Sequence, residues 1–288
     1  MNQRHQRISQ LANEHSVSLL CEVLVVSRSG YYAWRRRGQG RRAKEDAQLT
    51  ERLVQVHHDS RQTYGRPRLV EALRQQGYRH GGKRVGRLMK AAGLHGRLRR
   101  RFRPCTTQSK HSDPIAPNLL SRRKTPQAAN QIWITDLTYI ATGQGWLYLS
   151  VLLDLYSRRV VGWAFSQTLQ TTLPMAALTM ALQHRRPPRG LLHHSDRGCQ
   201  YASADYRKKL AEQGLEPSMS RAGNCYDNAA MESFWSTLKL ELIYRRKFAT
   251  QEEARQAIFD YLETFYNPVR LHSALGYKSP VDFETKNN

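Results

Sequence analysis

The chain has 288 residues and a formal net charge of +23, with 46 Lys and Arg against 23 Asp and Glu. That length predicts two or three units rather than one average domain, and so basic a balance predicts a polyanionic partner. The four cysteines, Cys21, Cys105, Cys199 and Cys225, form no Cys-x-x-Cys pair, and the longest apolar run, Val17 to Val26, has ten residues and contains Glu22. A zinc knuckle, a disulfide framework and a membrane span are therefore not expected, and the protein is read as cytoplasmic and nucleoid-associated.

The charge is unevenly placed. Residues 1–130 hold 28 Lys and Arg against 8 acids, and residues 131–288 hold 18 against 15, so the net values are +20 and +3. A basic first part joined to a nearly neutral second part fits a phosphate-binding module attached to a working domain, because Lys and Arg release condensed counterions when they contact phosphates.

In chain order, residues 16–37 predict two short helices around a turn: Val17, Leu20, Cys21 and Leu24 share a face, Ser27 to Gly30 breaks it, and Tyr31 to Trp34 resumes. Residues 1–43 thus read as a helix-turn-helix-like segment. Residues 44–96 read as a helical DNA-binding domain, with helices from Asp46 to Ala92 broken at Thr63 to Pro67 and Gly77 to Gly82. Its last helix carries Lys83, Arg84, Arg87 and Lys90 beside Val85, Leu88 and Met89, a basic face backed by an apolar one, as a recognition helix requires. Residues 97–130 lose periodicity, are punctuated by Pro104, Pro114, Pro117 and Pro126, and carry Arg99, Arg100, Arg101 and Arg103. They read as a basic linker that tracks phosphates.

Residues 131–288 read as the working domain. Strands are expected at Ile132 to Ile140, Trp146 to Leu155 and Arg159 to Phe165, then a helix (Thr172 to Gln183), a strand (Gly190 to Ser195), a helix (Ala204 to Gln213) and a strand near Pro217 to Ser220. Two long helices, Asn228 to Ile243 and Gln251 to Phe265, precede a loop from Tyr266 to Pro280. The fold class is α/β, with a mixed sheet and flanking helices behind a small all-α region. Trp133, Trp146 and Trp163 are expected in the core.

This order places three acids at one sheet edge: Asp136 in the first strand, Asp196 just past a short strand, and Glu232 near the start of a long helix. Three carboxylates so placed suit hard divalent ions, which prefer oxygen ligands and keep positions for water and phosphate. Singly, each has a plainer reading, as a turn cap or a complement to a helix dipole. Asp227 and Asn228 read as the N-cap of the Glu232 helix, and Asn228 would thereby support the site. His194 shares a strand face with Asp196 and is either site support or a satisfied structural histidine.

The surroundings narrow the choice. Trp133-Ile134-Thr135-Asp136-Leu137-Thr138-Tyr139, His193-His194-Ser195-Asp196-Arg197-Gly198-Cys199-Gln200-Tyr201, Asn224 to Trp235, and Tyr266-Asn267-Pro268-Val269-Arg270-Leu271-His272-Ser273-Ala274-Leu275 together resemble the integrase-type DDE transposases of the third insertion-sequence family. The resemblance is to the product of the downstream reading frame, often called OrfB, and covers nearly the whole chain. It implies a ribonuclease H-like catalytic core around a five-stranded sheet, with Asp136, Asp196 and Glu232 as ligands of Mg2+ or Mn2+, two ions per site. It also implies cleavage at the element ends and strand transfer by direct transesterification through a circular intermediate. The implied partners are double-stranded DNA, as terminal inverted repeats and target, further copies of the chain, and an upstream-frame partner or fusion.

Lys239 lies seven residues beyond Glu232, about 10 Å along the same helix face, and the resemblance gives a basic residue there a role on DNA phosphates. Two other function classes share these features: a metal-dependent nuclease of the same fold that cuts without joining, and a DNA-binding regulator that does not cut. The intact acid triad argues against the second.

Overall fold

The computed structural model describes residues 2–37, 40–97, 113–221 and 229–287. At the start, α1 (Asn2–Leu11), α2 (Val17–Val23) and α3 (Arg28–Arg37) pack around Ile8, Leu20, Cys21 and Tyr31. Ser16 caps α2 by accepting a hydrogen bond from the Leu19 amide. The helix α1 is an addition to the sequence reading. Its sequence is polar apart from a few side chains, so its periodicity is faint, and burial of Ile8 against the other two helices is what holds it.

Next come α4 (Arg41–Asp59), α5 (Arg66–Gln75) and α6 (Gly82–Ala91), with the expected breaks between them. Pro67 sits at the start of α5, where its missing N–H is not needed. Leu49, Leu53, Val56, Leu69, Leu73, Val85, Leu88 and Met89 turn inward. Their cluster is continuous with Phe265, Tyr266 and Leu271 of the later part of the chain, so these helices share a hydrophobic core with the sheet domain.

The sheet contains β1 (Ile132–Thr142), β2 (Gly145–Asp154), β3 (Val160–Ser166), β4 (Leu192–Ser195) and β5 (Glu216–Met219), in the order β3-β2-β1-β4-β5. The first three strands form an antiparallel meander, while β4 and β5 run parallel to β1. Alternation along the strands sends Ile134, Leu149, Val151 and Leu153 to one face and Trp133, Leu152 and Val161 to the other. The first face meets α10 (Ala229–Glu241) and α11 (Gln251–Asp260); the second meets α7 (Thr172–Arg185) and α9 (Ala204–Glu212), with the short α8 (Cys199–Ala202) beside them. Gly162 lets α7 press directly onto β3, since a Cβ there would stand 2.3 Å from the Ala177 carbonyl oxygen.

After α11 the chain winds through a wider π-helical turn, Tyr261–Tyr266, that buries Tyr261, Leu262, Phe265 and Tyr266. The expected closing loop then ends in a further helix, α12 (Pro280–Asn287). Glu284 of α12 binds Ser157, Arg159 and Arg185, contacts far apart in sequence that no local pattern announces. Trp133 is core as expected and Trp163 is half-buried, donating to Glu263, but Trp146 is 50% exposed at the end of the β1–β2 hairpin. No helix among the described residues is long and apolar enough to cross a membrane.

Candidate active site

The register of the sheet brings two of the three acids together. Ile134 lies opposite His194 across the parallel β1–β4 pair, so Asp136, two residues further along β1, comes beside Asp196 just past the end of β4. Both side chains are half-buried. Asp136 Oδ1 accepts from the Leu137 amide at 2.7 Å and Oδ2 accepts from Trp235 Nε1 at 2.9 Å. Asp196 Oδ1 accepts from the Gly198 amide at 2.9 Å, a tight turn that leaves little space for a Cβ at Gly198. Burial and then the neighbouring Asp196 charge push the Asp136 carboxyl up to about 7, while the two hydrogen bonds and the Lys239 ammonium pull the other way.

The helix α10 supplies the third wall. Trp235 and Lys239 lie on one face of it, and both act on Asp136, one by a hydrogen bond and the other by its charge. Lys239 is half-buried there, and burial lowers its pKa although Asp136 opposes the shift. Glu232, three and seven residues earlier, shares that face in the first turn of α10 and is exposed. Among the described residues, no three His, Cys, Asp or Glu side chains stand close enough together to hold a metal ion. The structure thus pairs Asp136 with Asp196 and sets Glu232 on the facing helix outside a three-ligand cluster. Asn228, the expected cap of that helix, lies outside the described residues, as do Arg99, Arg100, Arg101 and Arg103.

His194 lies inside the sheet. Its fully buried ring is held between Ser218 Oγ at 2.8 Å and Ser220 Oγ at 2.9 Å, which ties β4 to β5 behind Asp196. Asp154 is buried as well and accepts from the Asn130 and Tyr156 amides, closing the β2–β3 turn. Trp235 escaped the sequence reading, although its spacing of three from Glu232 was the available signal.

The basic face of α6 is partly engaged. Arg84 Nε donates to Asp46 at 2.7 Å and Arg87 binds the other Asp46 oxygen, while Glu45 stands 3.5 Å from Arg84. These two arginines hold the Asp46 carboxyl below the usual range and clamp α6 to α4. Two of the four cations of the expected basic face, Arg84 and Arg87, are thus paired with α4. Lys83 and Lys90 are exposed, and Arg87 keeps an exposed edge.

Family models described as "Integrase core domain" match residues 126–225 and 213–280, and one described as "HTH-like domain" matches residues 44–102. The chain is 46% identical over 267 residues to the insertion element IS600 uncharacterized 31 kDa protein of Shigella sonnei, covering 93% of this chain and 98% of that one. It is 41% identical over 276 residues to the transposase InsF for insertion sequence IS3A of Escherichia coli strain K12, covering 95% and 96%. Among solved structures, the HTLV-2 integrase catalytic core domain in complex with magnesium shares 15% identity at a TM-score of 0.42, over 55% of this chain and 97% of that one.

An integrase catalytic core behind an HTH-like helical region defines a DDE-type transposase or integrase, an enzyme acting on DNA. The chain belongs to the IS3 family of insertion-sequence transposases.

Proposed function

We propose that this transposase cuts at the ends of its insertion sequence and joins the freed ends to DNA by direct transesterification, using Asp136, Asp196 and Glu232 as ligands of two magnesium or manganese ions. The observation that carries this reading is the β1–β4 register that sets Asp136 beside Asp196, where burial first and the Asp196 charge second push the Asp136 carboxyl up to about 7. Two acceptor-only carboxylates crowded together, with a glutamate on the facing helix, are the donor chemistry that a hard divalent cation takes. When bound, such ions activate the attacking oxygen and stabilise the departing one.

The chain's own residues do the remaining work. Trp235 and the Leu137 amide each hold one oxygen of Asp136, which fixes the orientation of the carboxylate at the site. His194, clamped by Ser218 and Ser220, holds the strand end from which Asp196 projects. Water opens the phosphodiester at the element end, and the 3′-hydroxyl released then attacks a second phosphodiester in line. One ester replaces another, so no nucleotide triphosphate is consumed. A circular intermediate, formed when one end attacks the other, belongs to this proposal.

Residues 1–43 and 44–96 are assigned to recognition of the terminal repeats, with Lys83, Lys90 and Arg87 as the cations of α6 available to phosphate. The linker 97–130, with Arg99, Arg100, Arg101 and Arg103, is assigned to backbone tracking. The working form is assigned as a homo-oligomer on double-stranded DNA, with an upstream-frame product as partner or fusion. The net charge of +20 in residues 1–130 supports this division.

The test incubates purified protein with labelled element-end duplex, a target plasmid and magnesium. Strand-transfer products are expected from the wild type and none from Glu232→Gln, which keeps size but loses the charge a metal needs. Joining by Glu232→Gln at near wild-type rates would remove Glu232 from the site. Cut ends without joined products would instead favour a nuclease of the same fold.

Lys239 gives a separate expectation. Its half-buried ammonium, whose charge reaches Asp136, would meet a phosphate next to the scissile bond. Lys239→Ala should weaken binding to element ends and lower joining, whereas Lys239→Arg, which keeps the charge, should retain most of both. Unchanged end affinity and joining in the alanine protein would return Lys239 to a packing role.

A further inference from the structure

The residues around Asp196 are gripped from the end of the neighbouring strand. The Ser220 amide donates to the Ser195 carbonyl at 2.9 Å, Arg197 Nε donates to the Ser220 carbonyl at 2.8 Å, and His194 Nε2 meets Ser220 Oγ at 2.9 Å. Both chain neighbours of Asp196 are therefore fixed by the residue that follows β5. That strand is four residues long and lies at the edge of the sheet, where outward-facing backbone groups need a cover.

The cover is a strap from the far end of the stretch expected to be a linker. The Met219 amide donates to the Pro117 carbonyl at 3.4 Å, and the Leu119 and Leu120 amides both donate to Ser218 Oγ, at 2.9 and 3.4 Å. Asn118 Oδ1 accepts from the Ser121 amide at 3.2 Å and so shapes the tight turn at Leu120–Arg122, while Arg123 pairs with Glu216 at the other end of β5. The buried Ser218 hydroxyl also meets His194 Nδ1 at 2.8 Å. A serine hydroxyl has two lone pairs and one proton. The two amides take the lone pairs, so the proton goes to Nδ1, and the ring's own proton sits on Nε2 and points to Ser220 Oγ. One hydroxyl thus joins the strap to the ring behind Asp196.

We propose that Ser218 is a positioning residue for the metal site: with the strap 117–120 seated on its hydroxyl, it fixes His194 and Ser220, and through them the direction in which Asp196 meets the cation. This rests on the reading of Asp196 as a metal ligand given above. A side chain present for packing alone would be apolar, whereas Ser218 is 1% exposed and spends its whole hydrogen-bonding capacity on the strap and the ring. A buried polar network satisfied in this way holds one geometry, which is what a metal ligand needs from the groups behind it. The consequence is that the chain arriving from the HTH-like helices ends on the strand that sets Asp196.

The experiment titrates full-length protein with magnesium or manganese alone, without DNA, and reads the rise in melting temperature; joining on an element-end duplex is followed against metal concentration in parallel. Ser218→Ala should need about 10-fold more metal or above in both readouts, the low end for a group that orients a metal ligand. Joining should largely recover at saturating metal, and duplex affinity should not change. Ser218→Thr, which keeps a hydroxyl, should stay near the wild type. Asn118→Ala loosens the strap without entering the sheet, so it should move the metal midpoint the same way by less, and it reports independently where Ser218→Ala folds poorly. Glu216→Gln, which breaks only an exposed ion pair, should move neither readout. The proposal is overturned if Ser218→Ala and Asn118→Ala lower the melting temperature but leave the metal midpoint at its wild-type value, or if Ser218→Thr is as impaired as Ser218→Ala. A wild type whose stability and joining ignore both metals would overturn the metal reading itself, and this inference with it.

Discussion

Replacing Asp136 with asparagine is expected to abolish cleavage and joining while making the metal-free protein more resistant to heat. The first half follows from ligand chemistry, since the amide presents no charge to a cation and its single acceptor oxygen can keep only one of the Trp235 and Leu137 hydrogen bonds. The second half follows from the raised pKa. In the folded protein burial and Asp196 push the Asp136 carboxyl from 3.8 to about 7, so the folded state holds a proton that the unfolded chain releases. Stability from this group is complete below about pH 4 and declines as pH rises towards 7, where the charged form must be held beside another carboxylate. The asparagine variant has no such decline. Its melting temperature should therefore exceed that of the wild type at pH 8 in the presence of a chelator, and the difference should shrink as pH falls through 7 towards 4. A variant that melts at or below the wild type at pH 8 would show that Asp136 carries no repulsive cost. Sites that crowd like charges for function commonly hold such strain, and relieving it trades activity for stability.

The parts of this molecule legible in the sequence are those with a strong local signal. The β1–β2–β3 meander follows from apolar strands separated by Gly143, Gly145 and the Ser157 turn, and α4, α5 and α6 from their periodicity and Gly or Pro breaks. Asp136 and Asp196 were readable because the strand pattern places one in β1 and the other just past β4, and parallel pairing of those strands does the rest. What stayed hidden depends on contacts distant in the chain. Arg84 and Arg87 look like open cations until α4 swings Asp46 beside them. Trp146 is apolar and lies in a strand, yet it falls at the hairpin end and is 50% exposed. The helix α12 is short and its holding contacts, from Glu284 to Arg159 and Arg185, span about a hundred residues or more. His272, which no sequence argument explained, proves to be a ring kept neutral by burial and by nearby arginines, in hydrogen-bond contact with Arg270 Nη1 at 3.3 Å.

Arg270 is the centre of the last expectation. It is 3% exposed and grips Glu241, at the end of α10, through two parallel hydrogen bonds of 2.8 and 2.7 Å. Tyr261 donates to the same carboxylate at 2.8 Å, and Arg68 of α5 reaches it at 3.6 Å. Beside them the Tyr64 hydroxyl accepts from the Leu271 amide at 2.7 Å, so the HTH-like helices, α10, the π-helical turn and the loop after it meet at one buried charge cluster. Removing one partner of such a pair leaves an uncompensated charge inside, which costs about 3–5 kcal/mol. Arg270→Met should therefore lower the melting temperature by roughly 10 °C and loosen the helix that carries Glu232, Trp235 and Lys239, with joining activity falling in parallel. The pH dependence identifies the cause. In the wild type the arginines hold Glu241 below its usual range, so its contribution is present above about pH 4.5 and is lost as pH falls below that value. In Arg270→Met the buried Glu241 is relieved by protonation, so the gap between the two proteins should narrow as the solution is acidified. Pairing the change with Glu241→Leu should recover much of the lost stability, because two apolar side chains can replace a buried ion pair at little cost. Equal melting of Arg270→Met and wild type at pH 7, or a gap that does not change with pH, would show that this cluster is not what fastens the HTH-like helices to the catalytic core.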